Sequence, residues 1–330
     1  MTPSDDTLHP RLSRRDFLRS AAGVAALGGL HGASRAQDEA GDEGLPKRKL
    51  GPIDYEATIV AIGLGAMGDG RVPEPQVLEV LQAALEAGIN YVDCAPIYGE
   101  TQRFVGPIIE EWRDRIFLVS KCNQKSYDAA WAQVEQTLED LHTDHLDLLH
   151  LHNLGDFNLD HIEAADGTLT AIREMKEQGL VRHIGASGHL RPPHFLKLLE
   201  QASDVELIMV PVNVVDRHVY IFDGEVVPAA REAGRAVVAM KVLGGVVGWQ
   251  YGPGRGRLTT AEQYDLTMRY ALGHPAVSTG VVGFSTVQEL EQGLSVARNL
   301  SPVTEEELSA FDETAKELAS QWGFHFGPPE

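Results

Sequence analysis

Four polar side chains of complementary chemistry lie at or just after the ends of short apolar runs in the first half of the chain. Asp93, Lys121 and His152 stand at the ends of three successive runs, and Tyr98 follows Asp93 by five residues. Tyrosine is a reluctant acid at neutral pH because its pKa is about 10, but a nearby ammonium stabilises the phenolate and lowers that pKa. These side chains suit carbonyl reduction: tyrosine supplies a proton, lysine activates it, aspartate holds the lysine, and histidine positions the carbonyl oxygen.

The elements that must position these groups are predicted from eight short, nearly continuous apolar runs. Such runs are typical of parallel strands that are covered on both faces. The predicted strands are 57–63, 90–93, 116–120, 146–151, 181–187, 206–212, 236–242 and 279–284. Between them, apolar residues at helical spacing predict helices over 75–87, 127–141, 166–178, 225–233 and 260–272, with a glycine closing all but the second.

Eight strands that alternate with helices over about 250 residues predict an α/β fold, the (β/α)8 TIM barrel. Reactive groups in such a barrel come from the carboxyl ends of the strands, where the four residues above would meet. A doubly wound open sheet has the same alternation of elements, and periodicity alone does not separate the two folds.

One motif favours the open sheet. Residues 63–68 read Gly-Leu-Gly-Ala-Met-Gly after an apolar run, and the next predicted strand ends in Asp93. A dinucleotide-binding fingerprint needs its third glycine to open a helix and an acidic residue about 20 residues further on. Here the stretch 69–75, which contains two prolines, delays the helix, and Asp93 comes late. We therefore expect another role for these glycines.

Composition excludes several classes of function. The 330 residues are 43% hydrophobic and 23% charged, with a formal net charge of −20. That charge argues against nucleic-acid binding, which needs a basic surface, and disfavours docking on anionic lipid. The two cysteines, Cys94 and Cys122, show no metal-ligand or iron–sulfur spacing, so we predict no metal site and interpret both as small buried residues near the candidate site.

The first 36 residues have the three-part plan of an export signal. Arg14-Arg15-Asp16-Phe17-Leu18 precedes an apolar stretch of 11 residues, 20–30, and small residues at 34 and 36. The paired arginines resemble a twin-arginine signal, which implies the Tat export machinery as a partner and a periplasmic or cell-envelope location. The apolar stretch is too short for a membrane span, so no stable span is expected after processing. Residues 37–47 are predicted to be an acidic flexible spacer.

Several segments resemble the aldo-keto reductase superfamily. Asp93-Cys94-Ala95-Pro96-Ile97-Tyr98-Gly99 is similar to its D-x-A-x-x-Y-G signature, and residues 147–152 are similar to its D-L-x-x-x-H segment. The second match makes His152, rather than His150, the catalytic histidine, and Lys121 stands where the family's lysine ends a strand. The resemblance covers residues 48–320 and begins with a hairpin that closes the barrel floor; 321–330 is an aromatic C-terminal tail.

The resemblance implies NADP or NAD bound across the barrel mouth, a small carbonyl substrate and Tyr98 as general acid. The residues that it places at the cofactor are Ser187, Gly188, Met209, Met240, Lys241, Leu243, Gly283 and Ser285. Three of them depart from the family pattern, because Gly188 replaces an asparagine, Met209 a glutamine and Met240 an aromatic residue. Residues 283–292 contain no Lys or Arg, so NADP is the family expectation only; Arg255 or Arg257 could supply the missing cation.

The substrate and two other functions stay open at this stage. Candidate walls of the substrate site are Trp249, Tyr251, Trp322, Phe324 and His325, all of which could instead pack outside the barrel. The altered cofactor contacts leave room for a binding or regulatory barrel, or for a cofactor-independent lyase or isomerase that uses Tyr98 and Lys121. Export of a reductase further suggests a tightly bound nucleotide that is loaded before the protein crosses the membrane.

Overall fold

Eight parallel strands close into a barrel in the computed structural model of the chain, which describes residues 44–68, 70–244, 246–247, 250–251, 258 and 260–329. In chain order the strands are β1 (Lys47–Leu50), β2 (Ile53–Thr58), β3 (Val60–Gly63), β4 (Tyr91–Asp93), β5 (Phe117–Cys122), β6 (Leu146–His152), β7 (Val181–Ser187), β8 (Val205–Pro211), β9 (Ala236–Met240), β10 (Val246–Val247), β11 (Gln250–Tyr251) and β12 (Thr279–Val282). The barrel runs from β3 through β9 to β12, and β12 pairs with both β9 and β3. This closure excludes the open doubly wound sheet.

Helices connect the barrel strands. In chain order they are α1 (Glu74–Glu86), α2 (Thr101–Trp112), α3 (Tyr127–Asp140), α4 (Thr168–Glu177), α5 (Pro192–Gln201), α6 (Val227–Glu232), α7 (Ala261–Gly273), α8 (Val287–Arg298) and α9 (Glu305–Trp322). The apolar faces of α1 to α8 pack against the outside of the strands in one continuous core, and α9 packs in a separate cluster. None of the helices in the described part of the chain is both long enough and apolar enough to span a bilayer.

The predicted (β/α)8 barrel is confirmed, and apart from the start of the first strand the predicted strand and helix ends lie within two residues of the observed ones. The predicted strand 57–63 divides at Ile59 into β2 and β3. The sequence predicts that the helix over 260–272 ends at residue 272 and that Gly273 follows it. That prediction is wrong by one residue, because Gly273 is the last residue of α7 and His274 is its C-cap. A Cβ at Gly273 would come within 3.1 Å of Pro302, which explains a glycine inside the helix.

An antiparallel hairpin closes the amino end of the barrel. Strands β1 and β2 pair from Lys47 to Thr58, and Leu50, Ile53 and Ala57 pack with side chains from the barrel interior. Leu45 is already buried and β1 begins at Lys47, so the folded region starts a few residues before the predicted boundary at 48. The predicted export signal, and the spacer up to residue 43, lie outside the described residues.

The C-terminal helix α9 brings the last residues of the chain back to the barrel. Thr304 and Glu307 form a capping box at its start, and Ala319 and Trp322 pack on apolar side chains of the loop after β8. The helix ends at Trp322, and its C-cap Gly323, with a φ of +55°, turns the chain into the tail. The helix therefore extends two residues beyond the predicted boundary at 320.

The barrel interior contains one histidine that the predicted chemistry does not use. His150 of β6 is fully buried, and Gly185 of β7 leaves room for it, because a Cβ at Gly185 would lie 2.6 Å from Nδ1 of His150. Burial, with a smaller contribution from the Lys121 ammonium, holds the pKa of His150 well below its ordinary value. His150 is therefore neutral in the folded protein.

Replacement of His150 by glutamine should flatten the pH dependence of stability. Between about pH 7.5 and 5.5 the unfolded chain protonates this histidine and the folded protein does not, so the free energy of unfolding falls by about 1.4 kcal/mol from this group as the pH falls. Urea unfolding at both pH values measures the decrease in the free energy of unfolding, which should be smaller in His150→Gln than in wild type by about 1.4 kcal/mol. His161→Gln, at a half-exposed ring, is the matched control and should keep the wild-type difference; equal falls in both variants would contradict a neutral buried His150.

Candidate active site

The carboxyl ends of β4, β5 and β6 bring three of the predicted catalytic side chains together. Adjacent parallel strands place their ends at the same mouth of the barrel. Nζ of Lys121 lies 2.7 Å from both carboxylate oxygens of Asp93 and donates a further hydrogen bond of 2.8 Å to the carbonyl of Cys94. All three N–H donors of the ammonium thus have an acceptor.

This ion pair is almost completely buried. The relative exposure of Asp93 is 3% and that of Lys121 is 2%. Burial raises the pKa of the Asp93 carboxyl, and the ammonium of Lys121 opposes that rise. The geometry, with both carboxylate oxygens on one ammonium, is that of an ionised pair in a site from which water is excluded.

Tyr98 lies above this pair at the end of the loop that follows β4. Its ring centroid is 5.0 Å from Nζ of Lys121, and its ring meets that of His152 edge-on, with centroids 6.3 Å apart. Its backbone is held by two hydrogen bonds, from Tyr98 N to the carbonyl of Ala95 and from the Thr101 hydroxyl to the carbonyl of Tyr98. The four predicted catalytic residues therefore lie together, with Tyr98 the most exposed of them.

Two glycines of the 63–68 motif make room for Tyr98. A Cβ at Gly65 would lie 3.0 Å from Cζ of the Tyr98 ring, and a Cβ at Gly68 would lie 2.6 Å from the Tyr98 carbonyl oxygen. The chain after β3 forms a short 3-10 turn, Leu64–Met67, and no helix begins until Glu74. The motif is thus not a dinucleotide fingerprint; its glycines allow the backbone to lie close to Tyr98. Sequence reasoning did not assign this role.

His152 faces this cluster as a neutral imidazole. It is 4% exposed, and burial together with the nearby ammonium of Lys121 holds its pKa well below the ordinary value. A neutral ring can donate one hydrogen bond and accept another. The two cysteines are free and buried, as predicted, and burial raises the pKa of the Cys94 thiol to about 12, which excludes it as a nucleophile at neutral pH.

A cavity of about 560 Å³ extends from the four predicted catalytic side chains across the barrel mouth. Its walls include seven of the eight predicted cofactor residues: Ser187, Met209, Met240, Lys241, Leu243, Gly283 and Ser285. Gly188 is the exception. A Cβ there would meet the backbone of Leu154 and the ring of Phe195, so this glycine faces packed protein.

The cavity is also lined by polar groups that the sequence did not single out, Arg71, Gln76 and Glu289. The Ser285 amide donates to the carboxylate of Glu289, and the Gln76 side chain donates to the Ser285 carbonyl. Arg71 donates to the carbonyl of Gly65. No spacing signal marks these three residues, which come from the β3–α1 connection and from the first turns of α1 and α8. Arg255 and Arg257 lie outside the described residues.

The predicted aromatic walls are mostly not at the cavity. Trp322, the last residue of α9, packs against apolar side chains of the loop after β8. Phe324 is 60% exposed, and His325 is buried against Asp216. None of the three lines the cavity. The side chains of Trp249 and Tyr251 lie outside the described residues. His189, which sequence reasoning missed, does line the cavity; its position two residues beyond the end of β7 was the available signal.

Comparison with known proteins agrees with this geometry. The sequence profile of the aldo/keto reductase family matches residues 60–252, more than half of the chain. The chain is 29% identical to an uncharacterized oxidoreductase, YqkF, of Bacillus subtilis, over 83% of this chain and 97% of that protein. It is 24% identical to L-galactose dehydrogenase of Arabidopsis thaliana, over 84% and 98% of the two chains.

A solved structure shares the fold. The aldo-keto reductase AKR11C1 from Bacillus halodurans, in its holo form, superposes with a TM-score of 0.66 at 24% identity and covers 83% of this chain and 96% of its own. The fold, the cavity and the matched family profile lead to one conclusion. The chain belongs to the aldo/keto reductase family and is an oxidoreductase of that family.

Proposed function

We propose that the protein transfers hydride between a nicotinamide nucleotide and an aldehyde or ketone, or the corresponding alcohol, with Tyr98 as general acid. The observation that carries this proposal is the buried Asp93–Lys121 pair beneath Tyr98, in the cavity that His152 also lines. Carbonyl reduction needs a proton at the oxygen as negative charge develops there, and Tyr98 is the hydroxyl donor of this cluster.

Lys121 makes Tyr98 a usable acid. Its ammonium lies 5.0 Å from the ring centroid and favours the phenolate that remains after proton transfer. Asp93 keeps Lys121 charged and fixes its direction, since both carboxylate oxygens accept from Nζ. Low exposure of the pair strengthens its field at the ring, because little water screens it.

His152 orients the substrate. Its neutral ring lies edge-on to that of Tyr98, so a carbonyl oxygen beside the Tyr98 hydroxyl can also accept a hydrogen bond from the imidazole. A neutral imidazole offers this bond without placing a second cation beside Lys121. His152 is thus assigned a positioning and polarising role, and Tyr98 the proton transfer.

The cavity residues suit a nicotinamide nucleotide. Met209 and Met240 offer soft apolar surface for a ring, Ser187 a hydroxyl for an amide, and Lys241 an ammonium for a pyrophosphate. When bound, the nucleotide supplies the hydride. Residues 283–292 contain no Lys or Arg, and Glu289 accepts from the Ser285 amide, whereas Arg71 supplies a cation to the cavity wall. We therefore propose that the site takes either NAD or NADP.

Replacement of Tyr98 by phenylalanine should abolish turnover and leave nucleotide binding intact. The phenyl ring keeps the packing on Gly65 but has no proton to donate, and loss of a general acid typically lowers the rate by about 10²–10⁴-fold. Aldehyde reduction by NADH and NADPH is measured beside nucleotide titrations followed by tryptophan fluorescence. Tyr55→Phe, which removes a hydroxyl bonded to Asn90 at the barrel floor, is the matched control and should keep full activity.

Three results would contradict the proposal. Full activity in Tyr98→Phe would remove Tyr98 as the acid. Binding of neither nucleotide to nucleotide-free wild-type protein would favour a repurposed binding barrel. Turnover of a carbonyl compound without any nucleotide would favour a lyase or isomerase.

We also propose that the protein is exported through the twin-arginine route with its nucleotide already bound. The support is the signal-like sequence of residues 1–36, together with a cofactor that is made in the cytoplasm and a translocase that carries folded proteins. Tight binding would then let the same bound nucleotide reduce one substrate and be reduced again by oxidising another after export.

Substitution of the paired arginines tests the route. Arg14→Lys/Arg15→Lys should hold the protein in the cytoplasm of a bacterium with a twin-arginine translocase, whereas the matched pair Arg11→Lys/Arg19→Lys should still be exported. Immunoblots of cell fractions measure the location, and gently purified periplasmic protein is assayed for nucleotide. Equal export of both double variants would contradict the twin-arginine route. Export of nucleotide-free protein only would contradict loading of the nucleotide before export.

A further inference from the structure

His189 contributes to the walls of two spaces, the main cavity and a smaller side pocket. It lines the cavity with His152, Tyr98 and Lys241, and it also lines the side pocket, whose other walls are Asn153, Gly155, Asp156 and Leu190. The side pocket measures about 40 Å³, enough for a group the size of one water molecule. A substituent that projects from a substrate toward His189 would therefore be small.

His189 is neutral and faces the same space as His152. It is 8% exposed, and burial, followed by the ammonium of Lys241, holds its pKa well below the ordinary value. His152 ends β6 and pairs in register with Ser187 of β7, and His189 follows Ser187 by two residues at the same mouth. The cavity thus presents two neutral imidazoles, each with one donor and one acceptor nitrogen.

The C-terminal segment Gly323–Gly327 supports His189 from behind. The Phe326 ring is 1% exposed, and its centroid lies 4.9 Å from that of His189. The Tyr220 hydroxyl holds Phe326 on both sides: it accepts from the Phe326 amide at 3.0 Å and donates to the Gly327 carbonyl at 3.1 Å.

A buried ion pair anchors the same segment. Nε2 of His325 lies 3.2 Å from Oδ1 of Asp216, and the Asn213 amide donates both to the other Asp216 oxygen and to the Lys241 carbonyl. Although burial opposes it, the Asp216 carboxylate raises the pKa of His325 above its ordinary value, which favours the charged pair. The tail therefore contacts two parts of the cavity wall. Phe326 packs on His189 after β7, and His325 is linked through Asp216 and Asn213 to the carbonyl of Lys241 after β9.

We propose that His189 binds the substrate and that Phe326, as a positioning residue, holds His189 toward it. The favoured substrate class is a carbonyl compound with a second oxygen on the adjacent carbon, so that His152 meets the reacting oxygen and His189 the neighbouring hydroxyl. A hydroxyl both donates and accepts hydrogen bonds, which matches a neutral imidazole, and it is small enough for the side pocket. This inference rests on the proposed carbonyl oxidoreduction.

The test compares lactaldehyde with propanal, which lacks only the 2-hydroxyl group. The readout is the ratio of their kcat/KM values, so that aldehyde hydration cancels between enzyme variants. The His189→Phe variant keeps a ring against Phe326 but loses both nitrogens, and the ratio should fall by about 3–10-fold, the usual effect of one neutral hydrogen bond. The His189→Gln variant, which keeps a donor and an acceptor, should retain part of the preference.

Phe326→Ala tests the support from the tail. The ratio should fall in the same direction as in His189→Phe, whereas Phe324→Ala, at the 60% exposed neighbour, should leave it at the wild-type value. Thermal unfolding of each variant identifies any that fail to fold, and His189→Gln provides a conservative substitution should the larger changes unfold.

The outcomes separate this inference from the proposed function. If wild-type protein reduces neither aldehyde with either nucleotide, the proposed function fails and takes this inference with it. If wild type turns over both aldehydes but the ratio is unchanged in His189→Phe, the inference alone is wrong. A weaker affinity for nucleotide in His189→Phe with an unchanged ratio would assign His189 to the cofactor instead, which also overturns the inference.

Discussion

The buried ion pair between Lys121 and Asp93 is the interaction on which the rest of the site depends. Two charges at 2–3% exposure are tolerated because each N–H of the ammonium meets an oxygen and because the adjacent ends of β4 and β5 hold both partners. Removal of one partner from such a pair typically costs about 3–5 kcal/mol of stability, since the other charge stays buried. Burial, and after it the same ammonium, holds the pKa values of His150 and His152 well below their ordinary value, so the ion pair contributes to the neutrality of both rings.

Glycines make room for the side chains that surround the ion pair. Gly65 and Gly68 let the chain pass close to Tyr98, and Gly185 leaves space for an imidazole inside the barrel. Larger side chains at Gly65 and Gly68 would move Tyr98 away from the ammonium and weaken the electrostatic coupling, which falls with distance. A motif that looks like a nucleotide fingerprint in the sequence is thus explained by steric demand at Tyr98.

The sequence predicted the barrel, which the structure confirms, and it singled out Asp93, Tyr98, Lys121 and His152, which the structure brings together, because both leave local signals. Continuous apolar runs mark buried parallel strands, and Asp93, Lys121 and His152 each stand at a strand end. The support that Tyr220 and the C-terminal segment give to Phe326 was not predictable, since it depends on hydrogen bonds between residues more than 100 positions apart, such as that between Tyr220 and Gly327. The sequence shows the aromatic residues of the tail, but periodicity could not show which of them packs beside His189.

The pH dependence of kcat/KM tests the central role of the ion pair most directly. Carbonyl reduction by wild type is compared with that by the double variant Asp93→Asn/Lys121→Met, which replaces two buried charges by two neutral side chains. If Lys121 activates Tyr98, the double variant should be slower by about 10²–10⁴-fold, and its activity should decline only at higher pH, where the unassisted phenol ionises. A decline at the same pH in both proteins, or equal rates, would contradict the account.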